Sequence, residues 1–541
     1  MVKIEHWYEK YPDLLKRERE LLSNYGFTFK INNNVVEFIG NSRIMKDYPI
    51  RLIYPNGYPS FPPTVKCDVG DDLILVRHHN KITKSLCLFG FSSERWKANL
   101  SALDILNEIE ELIYRFSPLN YNAEQNKDDI VPEPLVNQFD YKLGGILIPP
   151  PFGNWALDEF KDVSNCEILY DPKTRRGIIS KLKLTSDITK LDDSYKNFFD
   201  GYPIMKSTVI KLKKAPPLIN ENIIQWLKEE NISIKESKNQ ILFFIFEDEW
   251  GKKGNKRIGW VALKILDGRA TWIKCYSINL DDINVRNPFG QQLNKKVVTL
   301  IGCGSLGSIV ATTLAQEGIT TLNLIDYDIL EPANSIRHQV GQGWFGFSKV
   351  VALKHRILNL IPMAKVNDYG FSVGAGTSEE NVRKLLQLIG DSDLIIDTSA
   401  SHKVTHYINR LCVEEKKPLI IGSVTNGAWS CEVVRVIPML SGCWGCWNKT
   451  YGGKMPPSAP PSEFQFAPGC DQPTFVGGIS SINIAGGLVA KASIDTLLNI
   501  NSSEDHYIEW SERDKIGNRE YKIKYLPNPL LKDCEVCNGN Y

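Results

Sequence analysis

The sequence predicts an α/β protein in three parts: an N-terminal α+β domain, a mixed α/β spacer domain and a C-terminal doubly wound domain. Three observations predict it. From Lys296 onward the pattern runs strand, glycine-rich turn, helix, strand, which is the signature of a parallel sheet. Before residue 118, helical patterns flank a set of short apolar runs. Between the two lies a region whose apolar runs have strand length and carry no chemical motif.

The 541 residues support several domains and a large core. Lys+Arg is 64 and Asp+Glu is 63, so no overall charge points to nucleic acid or to an anionic membrane. No run of about 18 apolar residues could span a bilayer. The polar start Met1–Trp7 lacks a signal-peptide core, so a cytoplasmic location is expected. In such a chain the 12 cysteines are expected as thiols or metal ligands, not as disulfides.

In chain order, residues 4–25 read as a helix interrupted near Pro12, and Phe27–Ile31, Val35–Ile39 and Ile50–Tyr54 as strands. A Pro-rich stretch follows, Tyr58-Pro59-Ser60-Phe61-Pro62-Pro63. Residues 101–116 have helical spacing, with Ser101 as N-cap and Asp104 in the capping-box position. The first domain is therefore 1–118, and the polar segment 119–135, with Pro132 and Pro134, is a linker. Residues 136–288 form the spacer of unknown fold, with strands expected at Ile241–Phe246 and Trp260–Leu266 and a helix at Ile223–Glu230. Residues 289–541 form the last domain.

That domain opens with a buried strand, Val297–Ile301, then Gly302-Cys303-Gly304-Ser305-Leu306-Gly307 and a helix. Gly302, Gly304 and Gly307 permit a tight turn and close approach of a phosphate to backbone N–H groups. A second strand, Thr321–Ile325, ends at Asp326, where a ribose hydroxyl would be held. On its own this pattern means only a nucleotide. The residues that follow narrow it: Asp326 and Asp328 close the strand, Asn334 and Arg337 follow, and Lys349 opens the next helix. In this order and spacing, roughly residues 296–541 resemble the adenylating domain of the ubiquitin-activating, ThiF and MoeB superfamily.

The resemblance implies ATP as substrate, a Rossmann-like fold and a homodimer through this domain. It implies that Arg337 and Lys349 stabilise charge on the phosphoryl oxygens, with Mg²⁺ bridging the phosphates. The Asp that usually helps to hold the Mg²⁺ falls on Ala400 in this chain, and Asp397 is the nearest carboxylate, so it is assigned to the metal. Cys443 and Cys446 pair with Cys534 and Cys537 as two Cys-x-x-Cys motifs, a pattern for tetrahedral Zn²⁺ that would staple two distant segments. Cys470 stands in a Pro- and Gly-rich loop, where the superfamily carries the cysteine that accepts the activated acyl group. A thiolate both attacks an acyl-adenylate and leaves well. Cys303, Cys412 and Cys431 lie on apolar runs and read as core.

The first 118 residues resemble ubiquitin-conjugating enzymes. The Tyr-Pro-x-x-Pro-Pro turn is matched by Tyr58, Pro59, Pro62 and Pro63, and the His-Pro-Asn stretch by His78-His79-Asn80. Seven residues after Asn80 comes Cys87, the implied thioester acceptor, with Asn80 as the oxyanion stabiliser and His78 as a further catalytic candidate. The combination is similar to bacterial activating–conjugating fusions, as in CBASS anti-phage operons. There the activated carboxylate belongs to a cGAS-like nucleotidyltransferase, or in related systems to a ubiquitin-like protein, and the acceptor is a target amine. The other functions weighed are a sulfur-carrier adenylyltransferase, which would need no Cys87, an NAD-dependent oxidoreductase, disfavoured by Arg337 and Lys349, and a non-catalytic scaffold.

Overall fold

The computed structural model describes residues 5–70, 72–88, 96–122, 134–141, 144–183, 188–192, 195, 197–218, 223–233, 239–249, 256–452, 454, 456–460, 465–466, 473–500 and 504–539. They fall into two units, Met1–Asp192 with Phe198–Asn279, and Asp193–Asn197 with Leu280–Tyr541.

In the first unit the opening helical pattern breaks as expected, into Trp7–Lys10 and Pro12–Asn24, because Pro12 has no N–H to continue the first helix. Four antiparallel strands follow in sequence order, β1 (Thr28–Asn32), β2 (Val35–Asn41), β3 (Pro49–Tyr54) and β4 (Thr64–Cys67). The helix Ala102–Phe116 starts at the expected capping box, where Ser101 N–H donates to Asp104 Oδ2 at 2.8 Å. It shares one core with the sheet, with Ile105, Ile109 and Ile113 packed among Val36, Phe38 and Leu52. Each such side chain contributes about 1.5–3 kcal/mol of burial. Glu110 is buried on this helix and accepts hydrogen bonds from Ser42 Oγ and Arg43 N, both at 2.6 Å, which ties the helix to the β2–β3 connection.

The middle region is built mainly of strands: β5 (Gly145–Ile148), β6 (Val163–Asp171), β7 (Arg176–Lys183), β8 (Ile188–Lys190), β9 (Ile204–Lys211), β10 (Gln240–Glu249), β11 (Lys256–Leu266) and β12 (Arg269–Ser277). Their order is β5-β12-β11-β10-β9-β6-β7-β8, and β5 also pairs with β7, so the sheet closes on itself. Closure pairs β5 on both sides and leaves the short β8 as the edge strand among those described. The expected helix is present at Ile223–Glu229. The unbroken apolar run of β10 follows from two-sided burial. Ile241, Phe243 and Ile245 enter one core, while Leu242, Phe244 and Phe246 enter another beneath that helix.

The second unit contains β13 (Val297–Ile301), β14 (Thr321–Ile325), β15 (Lys365–Tyr369), β16 (Leu394–Asp397), β17 (Leu419–Val424), β18 (Ser430–Val436), the short pair β19 (Gln465–Phe466) and β20 (Pro473–Thr474), then β21 (Tyr507–Arg513) and β22 (Arg519–Leu526). The main sheet runs β15-β14-β13-β16-β17-β18-β21-β22, parallel through β17 and antiparallel beyond it. Helices Ser305–Gln316, Lys349–Leu360 and Ile479–Leu497 join one core, and Glu379–Asp391 and His402–Glu414 another, so the sheet is doubly wound as expected. The strand order reverses between β13 and β16, which opens a crevice at their carboxyl ends. Among the described residues, no helix is long and apolar enough to cross a membrane.

Candidate active site

The glycine loop after β13 is shaped by steric necessity. Gly302 has φ +89, and a Cβ there would lie 2.6 Å from the backbone of Ser399. A Cβ on Gly307 would lie 1.9 Å from the Gly302 carbonyl oxygen, so only glycine lets the helix start this close to the loop. Gly304 is the N-cap of the helix Ser305–Gln316 and has open space where its Cβ would be. The helix therefore presents its N-terminus to the crevice.

The residues predicted around this loop are linked by hydrogen bonds. Asp326 Oδ2 accepts from Cys303 N at 2.7 Å and its Oδ1 from Asp328 N at 2.9 Å. Asp328 is ion-paired with Lys349 Nζ, which lies on the first, buried residue of its helix. Asn334 Oδ1 accepts from Glu331 N at 2.9 Å, while its carbonyl accepts from Arg337 N at 3.0 Å, so Asn334 shapes the turn that carries Arg337. Arg337 Nε donates to Ser305 Oγ at 2.9 Å, and its guanidinium stands 5.6 Å from the ring centre of Phe475. Burial pulls its pKa down, yet a guanidinium keeps its proton near neutral pH.

A cavity of about 710 Å³ lies at the carboxyl ends of the central strands. Gly302, Asp326, Ser399 and Ser401 line it beside Phe371–Ala375 after β15, and Lys403 and Tyr407 from the next helix. Sequence reasoning missed Ser305, His338 and these cavity walls. His338 was signalled only by its place beside Arg337. It is buried, its Nε2 donates to Cys303 O at 2.9 Å, and its Nδ1 accepts from Val340 N at 3.1 Å, the tautomer these partners require.

Asp397 departs from its expected role as a metal ligand. It is 1% exposed, with one carboxylate oxygen accepting from Thr405 Oγ1 at 2.6 Å and the other from Ser399 N at 2.9 Å. Burial pushes its pKa up against those hydrogen bonds. It holds the turn before the helix His402–Glu414, and its oxygens are not presented to the crevice. Ala400 follows in the left-handed region at φ +57. Buried and with both oxygens hydrogen-bonded, Asp397 does not fit a ligand to Mg²⁺.

Cys443, Cys446, Cys534 and Cys537 converge as expected, with their sulfurs within 4.8 Å of one another. The Cys443–Cys534 and Cys446–Cys537 sulfurs are 3.5 and 3.7 Å apart. A tetrahedral Zn²⁺ with Zn–S bonds of about 2.3 Å places its sulfurs about 3.8 Å apart, so the set fits that ion. In each motif the first cysteine is the N-cap of a helix and the second lies in its first turn. Burial pushes the Cys446 thiol up to about 11, so a metal would be needed to hold it as thiolate. Cys303, Cys412 and Cys431 are buried, in keeping with their reading as core. Cys470 falls between β19 and β20 in the sequence and lies outside the described residues.

In the first unit, Cys87 is exposed and its N–H donates to His78 O at 2.8 Å, while His79 bridges to Leu86. His78 has φ +60 and packs its ring edgewise against Phe116 at 4.8 Å. Asn80 Oδ1 accepts from Ile82 N at 3.0 Å and Thr83 N at 2.8 Å, closing the turn that returns the chain to Cys87. His79 is a structural residue: Nδ1 accepts from Leu75 N at 3.3 Å and Nε2 donates to Cys67 O at 2.9 Å. Trp96 Nε1 donates to Pro59 O at 2.9 Å, anchoring the Tyr-Pro turn.

Residues 276–524 match the ThiF family. With the fold and glycine loop above, this match supports a ThiF/MoeB-type adenylyltransferase domain in the C-terminal part of the chain. Almost the whole chain is similar to y4oA of Sinorhizobium fredii, an uncharacterized protein, at 25% identity over 548 residues and 91% of each chain. The adenylyltransferase and sulfurtransferase MOCS3 of Dictyostelium discoideum is 35% identical over 128 residues, 23% of this chain and 28% of that protein. The ubiquitin-like modifier-activating enzyme 5 of Caenorhabditis elegans is 27% identical over 160 residues, 29% of this chain and 38% of that protein. The match thus spans well under half the length of these last two relatives.

Proposed function

We propose that the chain activates the C-terminal carboxylate of a protein with ATP, carries it as a thioester on Cys470 and then Cys87, and joins it to an amine. The observation that carries the first step is the clustering of Arg337, Lys349 and the helix N-terminus at Ser305 around one glycine loop. The carboxylate oxygen attacks the α-phosphorus of ATP and pyrophosphate leaves, giving an acyl-adenylate. Arg337 and Lys349 stabilise the charge that grows on the phosphoryl oxygens, and Asp326 holds the ribose. Any Mg²⁺ comes with the nucleotide, and no step is assigned to a protein-held ion.

The Cys470 thiolate then takes the acyl group and AMP leaves. What supports its placing is its neighbour in sequence: Phe475, five residues on, lies under the Arg337 guanidinium. Cys87 receives the acyl group by thioester exchange. An amine attacks that thioester, the C–S bond breaks, and Cys87 regains its proton as the amide forms. The Asn80 oxygen is spent on the turn, so its amide N–H₂ is the end that would meet the oxyanion. Zn²⁺ held by the four cysteines supplies folding stability and no chemistry.

The resemblance to activating–conjugating fusions makes a cGAS-like nucleotidyltransferase or a ubiquitin-like protein the carboxylate donor, in cytoplasmic anti-phage defence, with the enzyme a homodimer. The similarity to a ubiquitin-like modifier-activating enzyme supports a protein donor. The similarity to an adenylyltransferase and sulfurtransferase favours a second reading, adenylation of a sulfur carrier. ATP–pyrophosphate exchange with the donor tests the shared first step. Arg337→Ala and Lys349→Ala should each lower it by on the order of 2.7–4 kcal/mol of transition-state stabilisation. Wild-type exchange in both variants would refute the site. Full product formation by Cys87→Ala would favour the sulfur-carrier reading.

A further inference from the structure

A cavity of about 1040 Å³ beside Cys87 contains a cation that the reaction above does not use. One wall is the loop that carries Arg77, His78 and Cys87, and the other comes from the middle region, through Gln138, Glu249 and Lys256. Arg77 is 8% exposed. Its Nη2 lies 3.8 Å from the Glu249 carboxylate, beyond hydrogen-bonding distance, and its Nη1 is buried with no partner among the described residues. An unpaired, buried donor on a charged group is costly, and such a group calls for an explanation. Arg77 is also next to His78, whose carbonyl oxygen accepts the Cys87 N–H at 2.8 Å.

The surrounding charges indicate what the cavity takes. Glu249 faces Arg77, Glu247 pairs with Lys256 at 2.7 Å, and Asp248 is buried on the N–H groups of Leu135 and Val136 at 3.0 Å each. With Lys81, which also lines the cavity, three cations face three carboxylates, which favours a neutral ligand rich in acceptors over an ionic one. A peptide main chain has that character. We propose that this cavity is a subsite for the main chain of the donor's C-terminal tail, with Arg77 donating to one of its carbonyl oxygens. The proposal rests on the reading of Cys87 as thioester acceptor. It gives the middle region a part in substrate binding, because that region supplies the second wall.

The test uses two small donors on the full chain: the mercaptoethanesulfonate thioesters of acetyl-Gly-Ala-Gly and of acetic acid. In each, the acyl carbon bonds to the Cys87 sulfur, its bond to the probe sulfur breaks, and the Cys87 proton leaves with the released thiol. Peptide mass mapping locates and times the acylation. In Arg77→Met the peptidyl transfer should slow about 10-fold or more, with acetyl transfer within about twofold of wild type. The melting midpoint should hold, because the Nη1 donor, buried without a partner among the described residues, is gone along with the charge. Arg77→Lys, which keeps the charge with fewer directed donors, should fall between. Equal loss with both probes, no loss with either, or a clear drop in melting midpoint would make Arg77 a structural cation and overturn the subsite alone. Wild-type Cys87 that accepts neither acyl group would remove the thioester reading, and the subsite with it.

Discussion

Arg337 and His338 are neighbours in the chain, and they do opposite things with charge. Arg337 must keep its proton to face phosphate, whereas His338 must stay neutral to accept from Val340 N while donating to Cys303 O. Burial lowers the His338 pKa below its ordinary value of about 6.5. The sign follows from the difference in proton binding. The unfolded chain binds a proton at a pH where the folded one still refuses it, so the contribution of His338 is full above about 6.5 and is lost as the pH falls below it. Each unit of depression is worth about 1.4 kcal/mol. His338→Gln should therefore melt at a less acid-sensitive temperature than wild type between pH 7 and 5.5. Parallel melting curves for the two proteins over that range would show that His338 does not sense acid.

Among the elements, the four-cysteine staple joins the helix Trp444–Tyr451 to the C-terminal turn at Glu535–Asn538. Cys534→Ser should leave an incomplete ligand set, lower bound zinc and reduce the melting temperature, with activity lost as a consequence. Wild-type protein purified without zinc would contradict the assignment. The staple was legible in the sequence because two Cys-x-x-Cys motifs restrict the chemistry even across a long gap. The glycine loop was legible for a different reason: at Gly302 and Gly307 a side chain would strike backbone. The closure of the middle sheet was not legible, since the pairing of β5 with both β12 and β7 depends on contacts far apart in sequence. Nor was the fate of Asp397. Its motif suggested an open carboxylate, but the fold turns it inward to Thr405 and Ser399. The cavity walls after β15 and β16 escaped notice because they meet only where parallel strands bring distant loops together.

For the whole molecule, the proposed function joins two kinds of chemistry on one chain: carboxylate activation by the C-terminal part, which matches the ThiF family, and acyl transfer through Cys87 in the N-terminal part. Thioester exchange between two thiols is nearly isoenergetic, so the order of the relay is set by which thiol reaches the adenylate. Mixing Cys87→Ala with Cys470→Ala separates transfer between chains, where product returns, from transfer within one chain, where it does not. Intact mass of the Cys87→Ala protein, isolated from cells that contain its donor, reads the first thioester of the proposed relay. The expected result is a protein attached through its C-terminus at Cys470, released by a reducing thiol, with no amide product. A thioester on Cys87 in the Cys470→Ala protein would contradict the order of the relay.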